Sequence, residues 1–545
     1  MPAAPIFKET NPASVTTLTR METPLTPLEF ARRARKLYGN REAVVDGDLR
    51  LTYEQFLDRT DRWSSALQAM GVKKGDRVAY IAPNTHEQLE SFYAVPQIGA
   101  VLVPINYRLT PDDFVYISGH SGAKILCVHP DHLDAVEGVR GQLKNIERFI
   151  CLGDAGGRAG WESYEHLLSG ASPNFKRPEI AESDLLSINY TSGTTAKPKG
   201  VMITHRNAWA NVVGTLLHLR LSVDEKYLWT LPMFHANGWT FVWTVTAVGA
   251  THVCLPKVEP ARVFDLIRKE HVAWLCAAPT VLIALANAPK DIRGSVPKGV
   301  RVVTAGAPPA AATIERIEGE FGWELTQVYG LTETAPFITV CEPRPEHKHL
   351  PAAERAILKA RQGVELITSG EIRVVDTDGN DVAKDGQTLG EIVTRGNVVM
   401  AGYYTDPEAT NKVMGDGWFH TGDAAVMHPD GYVEIRDRIK DVIISGGENI
   451  SSVEVEGVLL RHPSVQEVAI VGMPHEKWGE APHAFVVLKA GETATDKELI
   501  DLAREKLAHF KAPHSVTFVN DLPKTATGKI QKYVLRKGAA AISRQ

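Results

Sequence analysis

The chain has 545 residues, which is enough for about three to four domains at roughly 150 residues each. Hydrophobic residues make up 44% of it and charged residues 23%, a composition that excludes a disordered or fibrous protein. The formal net charge is only -5, and no long basic run is present, so the sequence predicts no nucleic-acid partner.

Cysteine usage and the chain ends predict a soluble, cytoplasmic protein. The five cysteines are odd in number and form no CxxC pair, so we expect buried thiols rather than disulfides or a zinc site. Lys8 and Glu9 interrupt the region where a secretory signal would need an apolar core, and no stretch approaches the roughly 18 apolar residues of a membrane-spanning helix. The last residues, 542–545, do not form a peroxisomal Ser-Lys-Leu ending.

Helix and strand patterns alternate through most of the chain. This alternation predicts α/β layers around buried sheets, with two related subdomains in one large domain. In chain order, the patterns predict a helix over 53–70, a strand over 77–82, a helix over 87–99, a strand over 101–104, a helix over 261–270, a strand over 274–277, a helix over 310–321 and a strand over 324–329.

The pattern changes after about residue 370. Short alternating strands with Gly/Asp turns, such as 370–379 and 431–437, predict a β-rich subdomain. Beyond residue 440 a compact mixture of helices and strands predicts a separate C-terminal α+β domain.

Residues 190–200 (YTSGTTAKPKG) form the strongest single signal, directly after a strand predicted over 185–190. The backbone N–H groups, hydroxyls and lysines of such a loop can surround a polyphosphate. Because Val201 follows Gly200, the Gly-Lys-Ser/Thr ending of a Walker A loop is missing, which disfavours kinases and GTPases. The alternative is an ordinary surface loop.

This loop and the motifs after it resemble the adenylate-forming enzymes, the ANL superfamily of acyl-CoA synthetases, luciferases and adenylation domains. The further motifs, in the order of that family, are 305–309 (AGAPP), 329–333 (YGLTE), 421–423 (TGD), 438–441 (RIKD), 446–449 (GGEN) and 523–529 (PKTATGK). The resemblance implies an ATP-dependent acyl-CoA synthetase that forms an acyl-adenylate and then a coenzyme A thioester. It also implies an N-terminal domain over 1–437, a hinge over 438–442 and a mobile C-terminal domain over 443–545.

The resemblance assigns phosphate and metal contacts. Attack of a carboxylate on the α-phosphate brings two anions together, so the site has to supply positive charge. Glu333 is expected to hold Mg2+, a hard cation that prefers carboxylate oxygens. The residues implied to contact phosphate are Thr191, Ser192, Gly193, Thr194, Thr195, Lys199 and Thr332.

The nucleoside is expected to bind beside these residues. In the family pattern Tyr329 stacks on adenine, and Asp423 accepts hydrogen bonds from the ribose hydroxyls with Arg438 nearby. The residues implied to border the adenine or the acyl group through their backbone are Gly306, Ala307, Pro308 and Gly330.

Lys529 is the implied catalyst of adenylation, because it can bring an ammonium group to the carboxylate and the α-phosphate. Lys440 occupies the hinge position of the family. A rotation there would replace Lys529 by a pantetheine tunnel beside Gly446, Gly447 and Glu448.

Residues 232–239 (PMFHANGW) match the segment that lines the acyl pocket in fatty and aryl acyl-CoA synthetases. The resemblance makes His235 a movable gate, with Asn237, Gly238 and Trp239 shaping the pocket. The segment has no acidic residue for a substrate ammonium group, so an uncharged acyl tail is favoured. The sequence of this segment is similar to the matching segment of medium-chain synthetases and of 3-(methylthio)propionyl-CoA ligases. This similarity favours a short- or medium-chain acid, and 3-(methylthio)propanoate is one candidate.

Several alternatives remain open from the sequence. The acid could be aryl, like benzoate or cinnamate, or long-chain, and the adenylate could pass to a carrier protein instead of coenzyme A. A luciferase-type oxygenase shares the motifs, and a nucleotide-binding regulator would have no need of a catalytic lysine. A homodimer is expected by analogy.

Overall fold

The computed structural model describes residues 22–153, 157–191, 197–525 and 529–542. Its helices are α1 (Leu28–Tyr38), α2 (Tyr53–Ala69), α3 (His86–Ala94), α4 (Pro111–Ser121), α5 (Leu133–Glu137), α6 (Tyr164–Gly170), α7 (His205–Leu219), α8 (Ala236–Trp239), α9 (Phe241–Val248), α10 (Pro260–Glu270), α11 (Pro279–Asn287), α12 (Lys290–Arg293), α13 (Ala311–Arg316), α14 (Ala352–Lys359), α15 (Pro407–Met414), α16 (Ser452–Leu459), α17 (Asp496–Lys506) and α18 (Lys532–Ile542).

The strands are β1 (Glu42–Asp46), β2 (Leu49–Thr52), β3 (Arg77–Ile81), β4 (Val101–Ile105), β5 (Ile125–Val128), β6 (Arg148–Cys151), β7 (Trp161–Ser163), β8 (Leu185–Thr191), β9 (Lys199–Thr204), β10 (Lys226–Leu228), β11 (Thr251–Val253), β12 (Trp274–Ala277), β13 (Arg301–Thr304), β14 (Glu324–Gly330), β15 (Phe337–Val340), β16 (Val364–Glu365), β17 (Glu371–Val375), β18 (Gly390–Arg395), β19 (Gly402–Tyr403), β20 (Phe419–Met427), β21 (Val433–Arg438), β22 (Ile443–Ser445), β23 (Glu448–Ile450), β24 (Val465–His475), β25 (Gly479–Leu488) and β26 (Ser515–Phe518).

Two large sheets form the first part of the chain, as the alternating patterns predict. One has the strand order β16-β15-β14-β13-β12-β10-β11-β1-β2, and the other has the order β19-β9-β8-β4-β3-β5-β6-β7. Their central strands pair in parallel and are buried, which explains why they read as continuous apolar runs. A shared core that includes the fully buried Trp63, Trp229 and Trp243 packs between the layers.

Several helices begin at a capping box that the sequence encodes. The Thr52 hydroxyl accepts the Gln55 N–H at 3.3 Å, and the Gln55 side chain accepts the Thr52 N–H at 2.9 Å. Thr204 and Asn207 start α7 in the same way, directly after β9. Each cap contributes about 1 kcal/mol, so these residues fix where the helix leaves the preceding strand.

Two predicted helices are shorter than expected. The helix predicted over 87–99 ends at Ala94 and continues as a 3-10 turn, Pro96–Ile98, because a proline cannot continue an α-helix. The helix predicted over 310–321 ends at Arg316 and continues as a π-helical turn, Ile317–Phe321.

The last part of the chain contains two smaller sheets. An antiparallel sheet in the order β17-β18-β20-β21 confirms the predicted β-rich subdomain. The chain then enters a five-stranded sheet, built around the β24–β25 hairpin and packed against α16 and α18, which confirms the small α+β unit. The transition lies between Arg438 and Ile443, within the segment predicted as a hinge.

Two further findings bear on the sequence analysis. All five cysteines are buried, as predicted. In the part of the chain that the structure describes, no helix combines the length and apolar character needed to cross a membrane.

Candidate active site

A cavity of about 210 Å³ opens beyond the carboxyl ends of β13 and β14, where parallel sheets commonly bind ligands. Residues from both large and small sheets line it. The predicted site residues on its wall are Gly306, Ala307, Pro308, Tyr329, Gly330, Asp423, Arg438 and Lys529. Motifs that are more than 200 residues apart in sequence therefore meet in one place.

A buried hydrogen-bonded group holds Asp423 at this cavity. Strands β20 and β21 place Asp423 opposite Arg438, and the Arg438 Nε lies 2.8 Å from Asp423 Oδ1. The Tyr329 hydroxyl donates to Asp423 Oδ2 at 2.7 Å. Burial and the Asp423 charge raise the pKa of Tyr329 well above its usual value, so the phenol stays a donor. The carboxylate is thus fixed in direction before any ligand binds.

The predicted phosphate and metal residues meet at the end of the β8–β9 hairpin. Thr191 pairs with Lys199 across the hairpin. The Tyr403 hydroxyl donates to Glu333 Oε1 at 2.9 Å, and the Lys199 ammonium lies 4.8 Å from the centre of the Tyr403 ring. Thr332 and Glu333 share a 3-10 turn, Thr332–Thr334. The predicted phosphate contacts Ser192, Gly193, Thr194 and Thr195 lie outside the described residues.

Lys529 reaches the cavity from the C-terminal unit. Its N–H donates to Thr525 Oγ1 at 3.1 Å, and its carbonyl accepts the Thr525 N–H at 2.7 Å, so the two residues are held together. The Lys529 side chain is exposed to solvent at the open cavity. The surrounding protein atoms partly desolvate its ammonium group, and together with the Arg438 charge this lowers the pKa of Lys529 to about 8. A lysine with such a pKa still carries its charge at neutral pH.

His235 directly precedes α8 and is not among the residues that line the cavity. Burial, followed by the positive charge of Lys529, lowers the pKa of His235 to about 4, so the imidazole is neutral at physiological pH. The Lys529 charge therefore adds to the effect of burial and disfavours protonation of His235.

The segment after His235 winds in the left-handed sense. Five successive residues have positive φ: Ala236 (37°), Asn237 (48°), Gly238 (56°), Trp239 (50°) and Thr240 (65°). For L-residues this conformation costs about 1–2 kcal/mol each, and only glycine adopts it freely. Such strain is maintained only where surrounding contacts enforce it.

Contacts with β8 and a buried tryptophan enforce this left-handed turn. The Asn237 side chain donates to Ser187 Oγ at 2.7 Å and accepts from Asn189 Nδ2 at 3.1 Å. A Cβ atom on Gly238 would lie 2.6 Å from the Trp229 ring, so only glycine fits there. The Asn237 side chain thus makes these hydrogen bonds to β8, the strand that leads to the phosphate loop.

Trp239 and Phe337 form a buried apolar floor behind the cavity wall, and neither residue itself lines the cavity. Trp239 is 4% exposed, and its ring packs against Phe337 with centroids 5.8 Å apart at 66°. Phe337 is the strand partner of Gly330, which lines the cavity. Two aromatic rings therefore lie next to the nucleotide side of the site.

The residues predicted to meet coenzyme A do not line this cavity. Gly446 and Gly447 form the exposed turn between β22 and β23, with φ of 59° and 90°, and the exposed Glu448 begins β23. A Cβ atom on Gly446 would lie 2.9 Å from the Trp478 ring. Lys440 is exposed in the connection before β22.

Sequence reasoning missed Gln327, which also lines the cavity. Its side chain is buried, and Oε1 has no hydrogen-bond partner within the described chain. A buried acceptor without a partner is costly, so it marks a place for a ligand donor. The two-residue spacing from Tyr329 along β14, which puts both side chains on one face, could have revealed it.

Comparisons with known proteins identify the sequence relatives of this site. Residues 30–404 match the model of the AMP-binding enzyme family, and residues 454–529 match the AMP-binding enzyme C-terminal domain. The chain is 44% identical over 526 residues to 4-hydroxybutyrate–CoA ligase 2 of Metallosphaera sedula, covering 95% of each chain. It is 44% identical over 534 residues to a 2-methylpropanoate–CoA ligase of Humulus lupulus, covering 94% of this chain and 95% of that one. The solved structure of an anthranilate CoA ligase with anthranoyl-AMP matches with a TM-score of 0.85 at 26% identity, covering 95% of this chain and 99% of that one.

Proposed function

The chain belongs to the AMP-binding enzyme family and is an AMP-forming acyl-CoA synthetase that uses ATP, Mg2+ and coenzyme A, and we propose that its acid is a short- or medium-chain fatty acid with an uncharged tail. The observation that carries this proposal is the Trp239–Phe337 floor beside a neutral His235. An apolar floor without a charged partner favours an alkyl tail. The two relatives above are named for acids of four carbons, which supports the short range, and 3-(methylthio)propanoate is of similar size.

The chemistry proceeds in two steps. A carboxylate oxygen of the acid attacks the α-phosphorus of ATP, and pyrophosphate leaves with the electrons of the broken P–O bond. The sulfur of coenzyme A then attacks the acyl carbonyl, and AMP leaves. Between the two anions of the first step, the Lys529 ammonium supplies the positive charge, since it lies at the cavity beside Asp423 and Arg438.

Glu333 would hold Mg2+. Its carboxylate suits a hard cation, and the Tyr403 hydrogen bond directs it towards the base of the phosphate loop. The bound ion supplies charge neutralisation for the phosphate oxygens. Asp423, fixed by Tyr329 and Arg438, would accept from the ribose hydroxyls.

We expect Gln327→Leu to weaken nucleotide selection. The unpaired Oε1 can accept the exocyclic amino group of adenine, so its loss should raise the KM for ATP about 10-fold and reduce the preference for ATP over inosine triphosphate. Steady-state kinetics with both nucleotides measures this. An unchanged ratio of the two kcat/KM values would contradict the role.

The proposed substrate class is tested by AMP release with ATP, Mg2+ and coenzyme A across acetate, butyrate, hexanoate, octanoate, palmitate, 3-(methylthio)propanoate and benzoate. A coenzyme-A-dependent maximum among the short and medium acids supports it. A maximum at benzoate or palmitate would replace it by an aryl or long-chain ligase. Adenylation without acyl-CoA release would favour a carrier-protein acceptor.

We expect Trp239→Ala to move the acid preference towards longer chains. Removing a buried indole opens space at the floor, and each added methylene in an apolar pocket is worth about 1–3 kcal/mol. The ratio of kcat/KM for octanoate over butyrate should rise at least about 10-fold, while the KM for ATP stays the same. An unchanged ratio in a folded variant would place the tail elsewhere.

Three predictions from the sequence stay proposals. They are the domain limits 1–437, 438–442 and 443–545, a cytoplasmic location, and a homodimer. Light scattering at several concentrations tests the last of these.

A further inference from the structure

Close to Lys529, a cluster of charged and polar groups joins the end of β21 to the first turns of α16 and α18. We call it the α18 anchor. Its members are Asp437, Asp441, Ser452, Glu456, Lys532 and Arg536. Asp437, Glu456 and Lys532 also line the cavity that contains Lys529.

Ser452 is the central bridge of the anchor. Asp437 Oδ2 accepts the Ser452 N–H at 2.9 Å and the Ser452 hydroxyl at 2.6 Å. The Lys532 ammonium donates to the same Ser452 oxygen. A hydroxyl has one hydrogen to donate and can accept in return, so both capacities are used. Ser452 is fully buried and Asp437 is 4% exposed, which makes this geometry costly to lose.

Two cations on one face of α18 are held by carboxylates. Lys532 Nζ lies 2.7 Å from Glu456 Oε1, which also accepts the Ile470 N–H at 2.8 Å. One helical turn later, Arg536 donates to Asp441. Although burial alone would lower it, the carboxylates of Glu456 and Asp437 raise the pKa of Lys532, so this lysine stays charged.

We infer that the α18 anchor positions Lys529 for adenylation and that Lys532 is its positioning residue. Lys532 follows Lys529 by three residues, and Asp437 directly precedes Arg438, the partner of Asp423. A continuous path of contacts therefore connects the nucleotide side of the cavity to the helix that carries the Lys529 segment. This inference rests on the proposed adenylation role of Lys529.

The test separates the two half-reactions of the full-length enzyme. Adenylation is followed by acid-dependent ATP–pyrophosphate exchange, and thioester formation is followed from a supplied acyl-adenylate and coenzyme A. Lys532→Ala should lower the adenylation kcat by about 10²-fold, the cost of a misplaced catalytic group. Thioester formation should stay within about twofold of wild type, and Lys532→Arg should restore part of the exchange rate. Lys537→Ala, an exposed lysine on the same helix, is the matched control.

Ser452→Ala provides a second variant that keeps every charge of the anchor. It should lower adenylation about 10-fold in the same half-reaction, because only the bridge is lost. Wild-type adenylation in Lys532→Ala, or an equal fall of both half-reactions in a folded variant, would overturn the inference. Wild-type enzyme without exchange for any acid would instead refute the proposed function itself.

Discussion

Lys529→Ala should slow adenylate formation by about 10²–10³-fold, the usual effect of removing one fixed charge from a transition state. The lysine lines the cavity with Asp423 and Arg438, and its positive charge contributes to the lowered pKa of His235. Thioester formation from a supplied acyl-adenylate should continue at the wild-type rate. ATP–pyrophosphate exchange and acyl-CoA formation measure the two steps separately.

The charge of Lys529 also predicts a pH dependence. Because its pKa is lowered to about 8, the ammonium form predominates at neutral pH and is lost as the pH rises through 8. Adenylation should fall over that range, while Lys529→Arg should remove the fall because guanidinium stays charged. Lys497→Ala, an exposed lysine of the same unit, should behave as wild type. Loss of both half-reactions in Lys529→Ala would refute the division of labour.

Gly330→Ala should be the most damaging single methyl addition at the site. The new Cβ would lie 1.8 Å from the Pro336 carbonyl oxygen, so β14 and β15 would have to separate. We expect a loss of about 3 kcal/mol of stability, since overpacking of backbone against backbone cannot relax through a side chain. Both half-reactions should fall, because Tyr329 and Phe337 flank this contact.

Thermal denaturation and the two half-reaction assays test the Gly330 variant. Gly119→Ala is its control, because Gly119 lies exposed in α4 with nothing within 4 Å of an added Cβ. That change should be neutral or slightly stabilising, as alanine favours helix. A Gly330→Ala enzyme as stable and active as the control would show that the two strands separate at little cost.

The sequence predicts the layers of the fold well, for a physical reason. Buried parallel strands read as short apolar runs between amphipathic helices, so two α/β sheets follow from the pattern. Helix ends were less predictable. The turn that contains Pro96 and the π-turn, Ile317–Phe321, each end an α-helix earlier than its apolar pattern indicates. The order of strands in each sheet required the structure, since pairing joins distant segments.

The site was predictable where motifs carry it. The order of the motifs identified Tyr329, Asp423, Arg438 and Lys529, and the structure adds that the first three form one hydrogen-bonded group. The direction of the Asn237 side chain could not be predicted, because spacing in a left-handed turn does not follow helix or strand periods.

Residues outside the motifs were harder to find. Gln327 was missed because a single glutamine in a strand has no pattern of its own. The Asp437–Ser452–Lys532 bridge was missed because its members are up to 95 residues apart and look like ordinary surface residues in sequence.

The left-handed turn over 236–240 limits how this enzyme can change its substrate during evolution or in the laboratory. Insertions, and branched residues in place of Gly238, would impair folding before they altered chemistry, because such φ angles tolerate few side chains. Phe337 lies opposite in ordinary strand backbone and can vary in size without that penalty. Libraries intended to change acid preference should therefore begin at the strand that faces the turn and should keep Gly238 and the length of the turn.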